Sequence, residues 1–221
     1  MRESFALIAG GGTAGHLYPG LAVAEALVSL GKRRNEIHFF TSDREIDNKL
    51  LTAADFHFTP LEGNGLTRRN ISSLIGSVIL LIKSTIFAYR YVRKSKPKVI
   101  LALGGFAAVP GSVAGLLTGT PVVLHEQNSV PGSANKLISK WVKKSAVSYQ
   151  NTELPRRMYT GNPVRKEVTD LVSSDKSMHR SQLGIPEENK LIVITGGSLG
   201  SFKINKSILN ALPDLKEIPN L

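Results

Sequence analysis

The chain has 221 residues, 42% hydrophobic and 20% charged, which is the composition of a folded globular protein. It contains no cysteine, and this excludes a disulfide framework and a thiolate metal site. The net charge of +11 is concentrated between residues 63 and 152, where twelve Lys and Arg residues accompany one acid, Glu126. Such a one-sided basic region indicates an anionic partner, namely nucleic acid, a phospholipid surface or a phosphorylated substrate.

The N-terminal segment follows the pattern strand, glycine-rich turn, helix. An apolar run over residues 5–9 leads directly into Gly10, Gly11 and Gly12, with no pattern of a signal peptide before it. The first N–H groups of a helix placed there attract phosphate or a developing oxyanion. Pro19 is typical of a first helical turn, so the helix is expected to begin several residues beyond Gly15. His16 then lies at the mouth of an anion site.

Apolar runs alternate with helical patterns through the first 164 residues. We expect strands over residues 37–41, 56–59, 99–103, 121–124, 146–149 and 157–160, and helices over residues 43–53 and 71–95. This alternation favours an α/β fold, a Rossmann-like parallel sheet with helices on both faces. Residues 1–164 are predicted to form this first domain.

Residues 165–221 are predicted to hold a linker and the start of a second domain. The stretch 166–190 is polar and rich in serine, which is typical of a domain boundary. The apolar run 191–195, the glycine pair 196–197 and a following amphipathic segment indicate the first βα unit of another Rossmann-like domain. One such unit cannot form a sheet with both faces covered, so the sequence looks truncated or split.

The helix predicted over residues 71–95 is apolar nearly all round in its first half. Its apolar run, residues 74–82, is shorter than the about 20 residues that span a bilayer. Two interpretations remain open. The helix is either enclosed in the core, or it packs one face on the sheet and turns another, flanked by cations, towards anionic lipid. The candidate membrane-facing residues are Leu74, Ile75, Val78, Ile79, Arg90, Arg93, Lys140 and Trp141.

Two other classes of protein, dinucleotide-binding oxidoreductases and nucleic-acid-binding proteins, share features with this sequence. Gly10, Gly12 and Gly15 formally match the dinucleotide fingerprint, with Asp43 as a possible ribose ligand, so a Rossmann-type NAD(P)-dependent oxidoreductase is the alternative function. His16 stands where such a site normally has a small or apolar residue. A nucleic-acid partner is not expected, because the basic region has few stacking aromatics and no recognisable binding signature.

Several motifs occur in one order along the chain, at residues 11–16, 104–106, 125–128, 161–165 and 196–198. Together they resemble the MurG family of GT-B glycosyltransferases. The resemblance implies two Rossmann-like domains and inverting transfer of N-acetylglucosamine from UDP-GlcNAc to the C4 hydroxyl of lipid I, which gives lipid II for peptidoglycan. It also implies no cofactor or metal, and peripheral attachment to the anionic cytoplasmic face of the bacterial inner membrane.

The resemblance implies roles for individual residues at the positions that match the family motifs. His16 is the candidate general base, with binding of the diphosphate as its other possible role. The implied substrate-binding residues are Thr13, Ala14 and Gly15 at a diphosphate, Asn128 at the donor sugar, and Arg165 and Ser198 on the nucleotide side. Further candidates are Gly104, Gly105, His125, Glu126 and Asn135, although bracing of a loop is an equally good role for His125 and Glu126.

The chain departs from the family pattern at two positions and in length. Ala14 replaces a glycine, which is expected to restrict the first loop to negative φ, and Leu199 replaces a frequent Gln. In the family, most contacts to the donor lie in the remainder of the C-terminal domain. The 221-residue chain alone is therefore expected to be inactive, with a missing half that another chain could supply.

Overall fold

The computed structural model describes residues 4–63, 71–197 and 200–221. Two compact units divide the chain, Met1–Lys166 and Glu167–Leu221. In the described part of the first unit, seven strands form one parallel sheet in the order β3-β2-β1-β4-β5-β6-β7, which confirms the predicted Rossmann-like α/β class. The strands are β1 (Ala6–Gly10), β2 (Ile37–Ser42), β3 (His57–Leu61), β4 (Val99–Gly104), β5 (Val122–Glu126), β6 (Lys144–Val147) and β7 (Arg157–Tyr159).

Helices cover both faces of this sheet. They are α1 (Ala14–Ser29), α2 (Glu45–Ala53), α3 (Ile71–Ser95), α4 (Ala108–Thr118) and α5 (Ser133–Ile138). Successive strand residues point to opposite faces, so Leu7 and Phe40 pack with residues of α3, α4 and α5, whereas Ile8 and Phe39 pack with α1 and α2. This double covering explains why the central strands have continuous apolar sequences.

The strand order reverses between β1 and β4, where the connecting chains leave towards opposite sides. Gly10 at the end of β1 pairs with Gly104 at the end of β4, and β5 lies beside β4. Open α/β sheets bind ligands in the crevice at the carboxyl ends of strands around such a reversal. The topology therefore places the loops after β1, β4 and β5 at one edge.

The first helix begins earlier than the sequence predicts. α1 starts at Ala14 with Thr13 as its N-cap, and Pro19 lies inside the helix. The Thr13 carbonyl accepts hydrogen bonds from the N–H groups of His16 and Leu17, so the first turn closes before the proline is reached. Ala14 is thus helical, and the positive φ in this loop, +85°, belongs to Gly12. The expected restriction from Ala14 does not apply.

The buried carboxylate of Asp47 fixes the glycine-rich turn after β1 to the end of β2 by hydrogen bonds. Asp47 in α2 accepts hydrogen bonds from the Gly12 N–H at 2.7 Å, the Thr41 hydroxyl at 2.7 Å and the Ser42 hydroxyl at 2.6 Å. A Cβ on Gly11 would lie only 2.5 Å from the same carboxylate oxygen. Glycine at position 11 is therefore required by the approach of this carboxylate.

The third helix has one packed face and one exposed face. Ala88 and Val92 are buried in the core, while Ile75, Val78, Ile79, Ile82, Ile86 and Phe87 are exposed. The interpretation of α3 as a helix enclosed in the core is therefore wrong. In the part of the chain that the structure describes, Ile75–Ser95 is the one helix segment that could cross a membrane by length and composition.

The second unit contains α6 (Lys166–Val172) apart from its first residue, together with α7 (Lys176–Gln182) and α8 (Phe202–Lys216). The predicted linker thus holds two short helices, and the Asp175 side chain caps α7 by accepting from the Ser177 N–H. The strand predicted over residues 191–195 is wrong, because this segment has no strand structure and Val193 is 77% exposed. Within the described residues it pairs with no strand, and a strand needs a neighbour for its backbone hydrogen bonds.

A half-buried imidazole in the sheet gives the fold a pH dependence. His38 in β2 faces the Thr59 hydroxyl at 2.8 Å and lies against the ring of Tyr91 at 4.7 Å between centroids. Burial, together with the nearby His57, lowers the pKa of His38 from 6.5 to about 4. Between these two pH values the unfolded chain binds a proton at this position and the folded chain does not.

We predict that Asp47→Ala lowers the free energy of unfolding by about 3 kcal/mol, since it leaves several buried donors without an acceptor. Urea unfolding of the purified chain measures this. Asp43→Ala is the matched control, because Asp43 is exposed, and its effect should stay within about 0.5 kcal/mol. Equal losses in the two variants would contradict the bracing role of Asp47.

We predict that the free energy of unfolding falls as the pH is lowered from 6.5 to 4, with His38 contributing up to about 3 kcal/mol of the loss. His38→Gln should reduce the difference between pH 7 and pH 4, measured by urea unfolding, by about 2 kcal/mol. Thr59→Val keeps the imidazole and should keep the pH dependence. An unchanged pH dependence in His38→Gln would refute the assignment.

Candidate functional site

A cavity of about 510 Å³ opens at the carboxyl edge of the sheet in the first unit. Its lining brings together six residues that the sequence singles out, His16, Gly104, Gly105, Glu126, Asn128 and Asn135. They come from α1, the end of β4, the end of β5 and α5, which are far apart in the sequence. The parallel sheet is what brings them together.

His16 lies in the first turn of α1 and is half-buried. Its Nδ1 atom is 3.1 Å from the Thr13 hydroxyl, which pairs with the ring and does not cap the helix. Burial lowers the pKa of His16 below 6.5, and a hydrogen bond with the Gly11 backbone and the nearby carboxylates of Glu126 and Asp47 oppose this shift without cancelling it. The ring is therefore kept mostly neutral at pH 7, the state in which imidazole accepts a proton.

The absence of a side chain at Gly104 leaves room for the imidazole of His16. Gly104 has a φ of +103°, and a Cβ atom on it would lie 3.1 Å from His16 Nε2 and 3.3 Å from both side-chain polar atoms of Asn135. The glycine thus brings the backbone close to two functional side chains from different elements. Nε2 is the ring nitrogen directed towards this part of the cavity.

Glu126 organises the loop that follows β5. One carboxylate oxygen accepts from the backbone N–H and the side-chain amide of Asn128, at 2.9 and 3.1 Å. The other accepts from the Gly132 N–H at 3.0 Å and the Asn135 amide at 2.8 Å. Asn135 is buried, and its amide oxygen has no hydrogen-bond partner among the described residues. Glu126 thereby fixes the orientation of both asparagines.

His125 lies outside this cavity lining. It is buried, and its two ring nitrogens are 3.1 Å from the Gly161 carbonyl and from the Gln127 amide nitrogen. Burial lowers the pKa of His125, and the hydrogen bond to Gly161 and the charge of Glu126 act in the opposite direction. These contacts correspond to bracing of the loop after β5.

The remaining predicted residues are distributed around the site. Ala14 and Gly15 form the first turn of α1, where backbone N–H groups lack intrahelical acceptors. The Arg165 guanidinium lies 4.7 Å from the ring centroid of Tyr18, which belongs to α1. Ser198, Leu199, Arg68 and Arg69 lie outside the described residues, as does the side chain of Leu74.

Two features of the site were missed by the sequence analysis. Asp47, and not Asp43, contacts the glycine-rich turn, and no local motif distinguishes the two aspartates. The second is an apolar cavity wall formed by Leu81, Phe106, Val109 and Leu137. These residues look like ordinary core positions in the sequence, so helical periodicity alone does not identify them.

The residues with defined side chains, which exclude 1–3, 64–74 and 198–199, provide no group of three or more His, Asp or Glu suited to a metal ion. The cationic surface lies at the opposite edge of the sheet. There, two neighbouring grooves of about 640 and 560 Å³ share Gly119, Thr120 and Pro121. Their lining has no acid, and its cations are Arg93, Lys96, Lys98, Lys140, Lys143, Lys144 and Arg156.

The sequence is similar to named bacterial transferases. It is 33% identical over 216 residues to the UDP-N-acetylglucosamine--N-acetylmuramyl-(pentapeptide) pyrophosphoryl-undecaprenol N-acetylglucosamine transferase of Acidovorax ebreus (strain TPSY), covering 98% of this chain and 52% of that protein. It is 36% identical over 211 residues to transferase 2 of this name from Bacillus anthracis, covering 93% and 58%. The chain thus spans just over half the length of these relatives.

The structure has related folds among solved proteins. The crystal structure of Acinetobacter baumannii MurG matches with a TM-score of 0.71 at 27% identity, covering 98% of this chain and 59% of that chain. A UDP-N-acetylglucosamine 2-epimerase matches with a TM-score of 0.65 at 12% identity, covering 100% and 62%, which is a likeness of fold alone.

The family model for the glycosyltransferase family 28 N-terminal domain matches residues 6–147. This range contains β1 to β6 and all six of the predicted residues that line the cavity. The match and the named relatives confirm the resemblance drawn from the motifs and favour it over the NAD(P)-dependent alternative. The chain therefore belongs to glycosyltransferase family 28 and carries the N-terminal domain of that family.

Proposed function

We propose that this chain forms the acceptor side of an enzyme that transfers N-acetylglucosamine from UDP-GlcNAc to the C4 hydroxyl of lipid I. The observation that carries the proposal is the cavity where His16, Glu126, Asn128 and Asn135 meet beside the first turn of α1. The relatives, named as N-acetylglucosamine transferases, support the reaction class. We assign residues 165–221 to a linker and the start of a UDP-sugar-binding domain, and the named relatives support this assignment.

The geometry around His16 supports a role as general base. Nδ1 faces the Thr13 hydroxyl, so in the tautomer that is protonated at Nδ1 the Nε2 lone pair is available to take the proton of the acceptor hydroxyl. The hydroxyl oxygen then forms a bond to C1 of the donor sugar, while the bond from C1 to the diphosphate breaks and UDP leaves. No metal is required in this proposal, because helix N-termini and cations can stabilise a departing diphosphate.

We expect His16→Ala to lower kcat by about 10²–10⁴-fold if His16 is the base. The measurement joins this chain to the remaining C-terminal region of the A. baumannii relative and follows labelled sugar transfer to lipid I. His57→Ala, on the exposed edge strand, is the matched control and should retain the parental rate. A raised KM with unchanged kcat would assign His16 to diphosphate binding instead.

The same fusion protein tests the protonation state. Because burial lowers the pKa of His16 below 6.5, the base should remain neutral at pH 7 and become protonated only at lower pH. We therefore expect kcat to be flat near pH 7 and to fall on the acid side, below pH 6.5. Loss of this acid limb in His16→Gln, with residual activity, would identify His16 as the titrating group. Its persistence would contradict that identification.

We also propose that the first unit docks peripherally on anionic lipid at the cytoplasmic face of the inner membrane. The outer face of α3 supports this, since Ile75 is 57% exposed and Ile79 48% exposed, with exposed Arg90 and Arg93 further along the helix. Trp141 is 51% exposed beside Lys140 in the acid-free groove. Apolar side chains flanked by cations are typical of surfaces that bind anionic membranes.

The double variant Arg90→Glu, Arg93→Glu should weaken binding to phosphatidylglycerol vesicles at least about tenfold at low salt, because each basic residue near the surface contributes about 1 kcal/mol. Vesicle co-sedimentation measures the binding. The matched control is Lys203→Glu, Lys206→Glu on α8, which changes the net charge equally. Equal weakening in both double variants would show dependence on net charge and contradict docking through α3.

A further inference from the structure

The cavity has two chemically different walls. One wall carries the imidazole of His16 and the polar side chains of Glu126, Asn128 and Asn135. The other is formed by Leu81 of α3, Val109 of α4 and Leu137 of α5, with Phe106 between β4 and α4. Three helices therefore contribute apolar surface to a space that opens beside hydrogen-bonding groups.

The apolar wall is only partly closed by the protein itself. Leu81, Phe106 and Val109 are half-buried and Leu137 is 47% exposed, so part of their apolar surface remains open to the cavity. Phe106 and Val109 also pack against the core, which fixes the wall in place. Keeping apolar area in contact with water is unfavourable, and a ligand that covers it gains free energy.

The wall continues out of the cavity along α3. Leu81 lines the cavity, the exposed Val78 lies three positions before it, and the exposed Ile82 lies four positions after Val78 on the same helix. Residues three or four positions apart are neighbours on a helix surface. An apolar chain starting beside the polar wall therefore has a continuous path from Leu81 to the exposed face of α3.

We propose that this apolar wall binds the first isoprenoid unit or units of a polyprenyl diphosphate, with the diphosphate directed to the polar side of the cavity. The inference rests on the proposed function and identifies which part of the acceptor this wall receives. A sugar ring or peptide placed against Leu81, Val109 and Leu137 would lose hydrogen bonds to water without replacing them. A branched hydrocarbon loses none and fits the chemistry of the wall.

The test compares geranyl diphosphate with methyl diphosphate, by calorimetry on the 221-residue chain without detergent or vesicles. Each fully buried methylene tightens binding roughly fourfold, so we expect geranyl diphosphate to bind at least about tenfold more tightly. Val109→Thr, nearly isosteric, and Leu137→Asn should each reduce this preference at least about threefold and leave methyl diphosphate binding unchanged. Leu117→Asn is the control, because Leu117 is exposed on α4 outside the cavity lining.

The outcomes separate this inference from the proposed function. Equal binding of the two diphosphates, or a preference unaffected by Val109→Thr and Leu137→Asn, overturns the isoprenoid site and leaves the diphosphate site standing. A preference abolished by Ile79→Asn but not by the cavity variants also overturns it, because the chain would then lie on the outer face of α3. Binding of neither diphosphate overturns the isoprenoid site and counts against the proposed acceptor site as well.

Discussion

Parallel pairing of β1 with β4 and of β4 with β5 is the constraint on which the candidate site depends. Parallel strands all end at the same edge, so the loops after β1, β4 and β5 have to share a small space. Glycine at positions 11 and 104 allows these loops to approach each other, since a Cβ at either position would contact a neighbouring side chain. Any shift of strand register would separate His16 from Asn135.

Two buried carboxylates then fix the loops in place. Asp47 accepts hydrogen bonds from the turn after β1 and from the end of β2, and Glu126 accepts them from the loop after β5 and from α5. Glu126 accepts through both carboxylate oxygens, whereas Asp47 accepts through one. The two carboxylates therefore hold these loops in position, and they also oppose the effect of burial on the pKa of His16.

In the first unit, the cavity and the basic grooves lie at opposite edges of one sheet. The carboxyl edge holds the cavity with its polar and apolar walls, and the amino edge holds the acid-free basic grooves. α3 connects the two edges, because Leu81 lines the cavity and Arg93 lines a groove at the other edge. Under the proposed function, one helix therefore contributes to binding both the lipid-linked acceptor and the anionic membrane surface.

The amino-acid sequence by itself determined the alternation of strands and helices, the extent of α3 from Ile71 to Ser95, and the motifs that carry the family resemblance. Periodicity and glycine placement are local properties, so they can be read without contacts. The sequence also drew attention to His16, Glu126 and Asn135, but not to their proximity. Two predictions were wrong: α1 begins before Pro19, so Ala14 is helical and does not restrict the loop, and residues 191–195 form no strand. Of the two interpretations of α3, its exposed face excludes enclosure in the core.

Only the tertiary structure decided which aspartate braces the glycine-rich turn, which face of α3 is exposed, and which apolar residues line the cavity. Asp43 precedes α2 and Asp47 lies inside it, and only the packing of α2 beside the end of β2 brings Asp47 to the Gly12 N–H. Val109 and Leu137 become neighbours of His16 only after α4 and α5 pack on the same sheet. Such long-range proximity is a property of the fold, because residues distant in sequence meet through strand order and helix packing.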